Sequence, residues 1–98
     1  IQNVPVESQE HLSIFPNPFN SRMTLNVKLK TPGIICADVF DLRGRHIANL
    51  WDGPVSAGAL QLHWNAVSDA GLPVASGVYH LRLQSSETTL TQKVMYVR

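Results

Sequence analysis

The chain has 98 residues, 44% of them hydrophobic, 15% charged and 7% aromatic, with eight Lys and Arg against seven Asp and Glu for a net charge of +1. That is the length of one domain, and the hydrophobic share excludes intrinsic disorder, which needs low hydrophobicity and high net charge. The balanced charge argues against nucleic acid or an anionic membrane surface as partner, and no apolar run approaches the ~18 residues of a membrane-spanning helix, so no membrane insertion is expected.

Ile1 to His11 (residues 1–11) reads as a linker from a larger upstream protein: it is polar, holds one Pro and shows no sustained period. The chain opens on Ile rather than Met, without a basic-then-apolar leader, and is expected to be a piece of something longer. The domain is expected over residues 12–98. Leu12 to Phe15 forms a short first strand, stopped by Pro16-Asn17-Pro18-Phe19-Asn20. Two prolines fix φ and lack donors, so this segment cannot lie inside a sheet. It reads as a strand-switching bend at a sheet edge, or as a rigid junction open to a partner. Asn17 precedes a proline and is biased to extended conformation; Asn20 is a candidate to close the turn through its side chain.

Met23, Leu25, Val27 and Leu29 alternate with polar residues, the clearest strand in the chain. After the turn Thr31-Pro32-Gly33, a strand from Ile34 to Leu42 sets Ile35, Ala37 and Val39 on one face and Cys36, Asp38 and Phe40 on the other. Its two faces are less distinct, which suggests cover on both sides. Asp41-Leu42-Arg43-Gly44-Arg45 reads as a hairpin tip, with Gly44 at positive φ and Asp41 accepting from turn amides or pairing with Arg43 or Arg45. His46 to Trp51 is the returning strand, and Asp52-Gly53-Pro54 is expected to end it. Trp51 falls out of phase.

Ser56-Ala57-Gly58 leads into a strand on which Leu60, Leu62 and Trp64 share one face. A long connection from Asn65 to Gly77 has tight points at Asp69-Ala70-Gly71 and Ala75-Ser76-Gly77. Tyr79, Leu81 and Leu83 alternate next, and Tyr79 is expected to bury its ring and bond its hydroxyl. The last strand runs from Thr88 to Val97 with ambiguous facing. Lys93 and Arg98 stand in it and at its end, either as a solvated edge or as an edge to which a partner adds a strand. Roughly seven short strands with frequent turns imply an all-β, immunoglobulin-like antiparallel two-sheet sandwich, a small barrel being the alternative. Leu25, Val27, Val39, Leu62, Trp64, Tyr79 and Leu81 are its expected core.

The order of these segments is itself informative. Phe15-Pro16-Asn17-Pro18-Phe19-Asn20 precedes Val39-Phe40-Asp41-Leu42-Arg43-Gly44-Arg45, then Leu62-His63-Trp64-Asn65, then Pro73 to Leu83, and finally Lys93 to Arg98. This order resembles the C-terminal sorting domains of the type IX secretion system and the related immunoglobulin-like domain of the flagellar hook-capping protein. The resemblance covers Leu12 to Arg98. It implies a non-catalytic β-sandwich that directs a larger protein, its covalently continuous cargo, across the periplasm and outer membrane of a Gram-negative bacterium to the cell surface or beyond. The outer-membrane secretion machinery would be its partner. The residues set out for that recognition are Pro16, Asn17, Pro18, Asp41, Arg43, Gly44, Arg45, Lys93 and Arg98.

Other chemistry is weaker. Cys36 is the single cysteine, which excludes an internal disulfide and leaves too few thiolates for a cysteine zinc site; it reads as an inert packed thiol. His63 and His80 would share a sheet face only if their strands were neighbours. The carboxylates show no calcium-loop pattern, though scattered loops remain a possible calcium site. There is no nucleophile elbow or phosphate-cradling loop, so neither an enzyme, a small-molecule substrate nor a cofactor is expected. An assembly or spacer domain is the main alternative, and a carbohydrate-binding module with Trp51 as its exposed ring is a third reading.

Overall fold

The computed structural model describes residues 11–86 and 89–98. Seven strands follow one another: β1 (His11–Phe15), β2 (Met23–Leu29), β3 (Gly33–Asp41), β4 (His46–Val55), β5 (Gly58–Trp64), β6 (Gly77–Ser85) and β7 (Thr89–Tyr96). One sheet has the order β1-β2-β5 and the other β4-β3-β6-β7, with every named pair antiparallel. The expected immunoglobulin-like sandwich is therefore the fold.

Alternation decides which face is buried. Met23, Leu25, Val27 and Leu29 point into the sandwich, while Thr24, Asn26 and Lys28 between them do not. Leu62 and Trp64 on neighbouring β5 join them, Val39, Tyr79 and Leu81 meet them from the opposite sheet, and all the expected core residues are buried. In β7 the ambiguity resolves: Val94 and Tyr96 go inward, Met95 and Val97 remain exposed.

Several boundaries differ from the reading of the sequence. The first strand begins at His11 rather than Leu12; residues 1–10 of the expected linker lie outside the described residues. β3 runs from Gly33 to Asp41, leaving Leu42 in the turn. Asp52-Gly53-Pro54 does not end β4, which continues to Val55 with Pro54 opposite Ile34. β4 is the outer strand of its sheet, where a residue without an N–H leaves no ladder bond unmade. The start of the last strand at Thr88 falls outside the described residues. His63 lies in β5 and His80 in β6, which belong to different sheets, so the shared histidine face does not form.

After β1 the chain crosses to the other sheet. The Phe15–Pro16 and Asn17–Pro18 peptide bonds are both cis, and Phe19 then bridges Tyr96 in parallel. The Phe19 N–H donates to the Met95 carbonyl at 3.0 Å, and the Val97 N–H donates to the Phe19 carbonyl at 2.9 Å. Asn17, not Asn20, ties the segment: its Nδ2 donates to the Lys93 carbonyl at 3.1 Å and its Oδ1 accepts from the Met95 N–H at 3.0 Å. A primary amide, with donor and acceptor side by side, here does what a strand backbone would do. This is the strand-switching bend.

The Phe19 ring, 2% exposed, seals the end of the core. Its centroid lies 5.7 Å from that of Trp64 and 5.1 Å from that of Tyr96. Trp64 belongs to the three-stranded sheet and Tyr96 to the four-stranded one, so a single side chain packs on both layers. Phe19→Ala should therefore cost about 3–5 kcal/mol, the range for deleting a buried ring. Urea unfolding would show it as a lower midpoint with an unchanged slope.

Candidate functional site

The strand registers bring one end of every strand to the same end of the sandwich. Phe15 pairs with Thr24, Met23 with Trp64, Asp41 with Tyr79, and Gly77 with Tyr96. The Pro16–Phe19 crossing, the β3–β4 turn, the loop entering β6 and the exit from β7 therefore stand together. Pro16, Asn17, Pro18, Asp41, Arg43, Gly44, Arg45 and Arg98 are all gathered there. Lys93 sits farther back along β7, side chain in solvent, its carbonyl held by Asn17.

The β3–β4 turn is organised by Asp41. Its Oδ1 accepts from the Arg43 and Arg45 N–H groups at 2.9 Å each, and its Oδ2 pairs with Arg45 Nε at 2.9 Å. The Arg45 amide is the main cause that holds the Asp41 carboxyl below the usual range; the Arg45 guanidinium and the Arg43 amide add to it against a smaller opposing desolvation. Gly44 takes φ +84°, a conformation that a side chain resists. The turn thus consumes its own carboxylate. The Arg43 side chain has no partner among the described residues, and Leu42 at the tip is 66% exposed.

An open hollow runs from Asp41, Leu42, Arg43 and Arg45 to Ala75, Ser76 and Tyr79. The Tyr79 hydroxyl donates to the Ala75 carbonyl, as expected of a buried tyrosine. The Arg98 N–H donates to Ser76 Oγ at 3.0 Å, which docks the chain's last residue beside the hollow. Arg22 precedes β2 at this end as well. The surface is cationic and partly apolar, with guanidinium forks suited to carboxylates.

A second constellation was not legible in the sequence. Asp38, 6% exposed, lies on the outer face of β3. Its carboxylate is bonded by His46 Nε2 at 2.7 Å, Cys36 Sγ at 2.9 Å and Asn49 Nδ2 at 3.0 Å. His46 and Asn49 are three apart and would face opposite ways in a regular strand. Register shifts between β3 and β4 put an extra residue into the pairing on either side of Ala48, so both reach Asp38. The same irregularity leaves Trp51 half-buried against the core, with its indole N–H bonded to the Gly53 carbonyl.

This group resembles catalytic machinery in composition but not in wiring. The thiol bonds to the carboxylate and not to the imidazole. That bond, with burial and the Asp38 charge, pushes the Cys36 thiol up to about 11, away from the thiolate a nucleophile requires. For Asp38, burial alone would raise the carboxyl; the bonds from Cys36, Asn49 and His46, with the His46 charge, outweigh it and hold the group below its ordinary value. No group of His, Cys, Asp and Glu among the described residues is disposed to hold a metal. The Asp69 carboxylate accepts from the Asn49 N–H at 2.9 Å.

The fold is an immunoglobulin-like sandwich whose motifs converge on one exposed end. The chain belongs to the family of secretion system C-terminal sorting domains, whose model matches residues 13–97. It is thus a sorting domain, one that sends a protein to the cell surface or outside the cell. No curated protein sequence matches it. Among solved structures it is similar to PorU, described as dimeric and latent, from Porphyromonas gingivalis (TM-score 0.66, 19% identity, 90% of this chain and 9% of that one). It is also similar to PorZ of the same bacterium, an essential surface component of the type-IX secretion system (TM-score 0.59, 21% identity, 89% and 11%). A third likeness is to FlgD from Xanthomonas campestris, a hook-capping protein of flagellar assembly (TM-score 0.61, 16% identity, 90% and 67%). The chain spans only about a tenth of PorZ and PorU, and these likenesses establish the fold.

Two outcomes follow from the Asp38 group. With its thiol near 11, Cys36 should react with iodoacetamide at pH 8 about 100-fold more slowly than a free cysteine, and Asp38→Asn should speed it; mass spectrometry reads the rate. Because folding depresses the Asp38 carboxyl, its stabilising contribution is complete above the unfolded value near pH ~4 and is lost as pH falls through the folded value. Asp38→Asn should therefore flatten part of the acid limb of a stability–pH curve, leaving the part due to Asp41.

Proposed function

We propose that this domain is a non-catalytic address label, read by the outer-membrane secretion machinery of a Gram-negative bacterium at the end where its motifs converge. The observation that carries the reading is that convergence: segments far apart in the chain place Pro16-Asn17-Pro18, the Asp41–Arg45 turn and Arg98 on one exposed surface. Pro16, Asn17, Pro18, Asp41 and Gly44 set the shape of that surface. Arg43, Arg45, Lys93 and Arg98 supply directional positive charge. Residues 1–11 act as the linker to an upstream cargo and residues 12–98 as the label, which carries that cargo through the periplasm and across the outer membrane.

Support for the absence of a reaction comes from the thiol, protonated and bonded to a carboxylate, and from the open hollows of the surface, in which a small-molecule substrate would stay in contact with water. Nucleic acid is an unsuitable partner for a chain of net charge +1, and insertion of the label itself into the membrane is not part of the reading. An assembly or spacer role would tolerate moving the domain to the front of a fusion protein; a C-terminal label would not.

The test is export of a reporter joined to residues 12–98 in a host with a type IX system. Deleting Lys93 to Arg98 is unsuitable, because it also removes Val94 and Tyr96 from the core. Replacing Arg43 and Arg98 together by Ala leaves the core intact. Surface reporter should fall at least ~10-fold, the effect of losing about 1.4 kcal/mol of recognition, while the melting temperature stays within a few degrees. Undiminished surface reporter would overturn the assignment of recognition to this end.

A further inference from the structure

β7 is the outer strand of the four-stranded sheet. In an antiparallel ladder, successive residues aim both backbone groups alternately toward the partner strand and away from it. Asn17 and Phe19 bond to the Lys93 carbonyl, to both Met95 groups and to the Val97 N–H. The residues of β7 that look away from β6 are therefore Thr89, Thr91, Lys93 and Met95. The crossing segment covers this edge from the Lys93 carbonyl onward. Among the described residues, the outward N–H and C=O of Thr89 and Thr91 and the N–H of Lys93 have no partner.

The two faces beside this open stretch differ. On the outer face stands Lys93, with no carboxylate beside it among the described residues of β6 and β7; Arg82, one strand further in, is the register partner of Asp38 on β3. Arg82 lies over the Phe40 ring at 4.5 Å, and its buried Nε has no hydrogen-bond partner. A recess lined by Phe40, Asp41, Leu42, His80, Arg82 and Thr91 opens next to the strand. On the inner face Leu90 is half-buried against the core.

We infer that the Thr89–Lys93 edge is a strand-addition site for an extended segment of the export machinery whose residues alternate between acidic and apolar. Backbone pairing to Thr89, Thr91 and Lys93 supplies the affinity. A carboxylate on the outer face of the added strand pairs with the Lys93 ammonium, and the apolar residues between its acidic ones, on the inner face, extend the contact made by Leu90. The assignment of the segment to the machinery rests on the sorting role proposed above; the pairing chemistry does not.

Nuclear magnetic resonance titration of the 98-residue chain tests it, with the peptide acetyl-Val-Glu-Val-Glu-Val-Thr-amide and its Lys-for-Glu counterpart as probes. The acidic peptide should slow hydrogen exchange at the amides of Thr89, Thr91 and Lys93 and bind at least tenfold more tightly than the lysine peptide. Lys93→Glu should reverse that preference. Thr91→Pro removes an N–H that faces away from β6, so it should keep the fold and abolish binding, whereas Thr91→Val should not. Equal binding of both peptides, unchanged binding by Thr91→Pro, or protection of the same amides by a second copy of the chain without peptide would overturn the inference. So would export of a Thr91→Pro reporter fusion at the level of the unsubstituted one, an outcome that leaves the sorting role standing. Failure of the unsubstituted fusion to be exported would instead sink the sorting role, while the titration still decides the pairing.

Discussion

The return of the chain from β1 onto the edge of β7 is the constraint on which the rest of the domain depends. β1 belongs to the three-stranded sheet and β7 to the four-stranded one. Between them, the Asn17 amide and the Phe19 backbone make hydrogen bonds that a paired strand would otherwise make. The Phe19 ring sits against Trp64 and Tyr96. An edge strand with unpaired groups is an invitation to unwanted pairing, and a sandwich open at its end would wet its core. The crossing seals the end of the core and covers the β7 edge from the Lys93 carbonyl onward in one short stretch. Its prolines, which have no N–H to place, suit a segment that belongs to neither sheet until Phe19.

Closing the end in this way also sets the surface proposed for recognition. With the core sealed beneath it, the turn organised by Asp41 can present Leu42 and Arg43 to solvent without loss of packing. The Asp41 carboxylate is committed to amides and to Arg45, so it shapes the turn more than it contributes a free charge. What remains outward is guanidinium and apolar surface, a combination enriched where proteins meet proteins.

The Asp38 group shows why composition alone misleads about chemistry. Cysteine, histidine and aspartate side chains lie within bonding distance of one another, yet the aspartate stands between the other two. A carboxylate beside a thiol raises the energy of the thiolate, the reverse of activation. The arrangement instead satisfies a buried carboxylate on the outside of a sheet, where leaving it unpaired would cost more than the bonds contribute.

The alternation of apolar residues was enough to determine the two-sheet sandwich and its core, because a period of two leaves only one face to bury; Leu25, Val27, Trp64, Tyr79 and Leu81 were all legible in this way. The turn at Gly44 was legible too, since a positive φ and an acceptor for turn amides each demand particular residue types. Three features were decided only by the tertiary structure. Pro54 continues a strand because that strand happens to be an edge. His46 and Asn49 converge on Asp38 because bulges break the very alternation from which facing is read. Asn17 clips residues more than seventy positions away, and a side chain's choice among distant backbone groups depends on where the sheets place them, which no local pattern records.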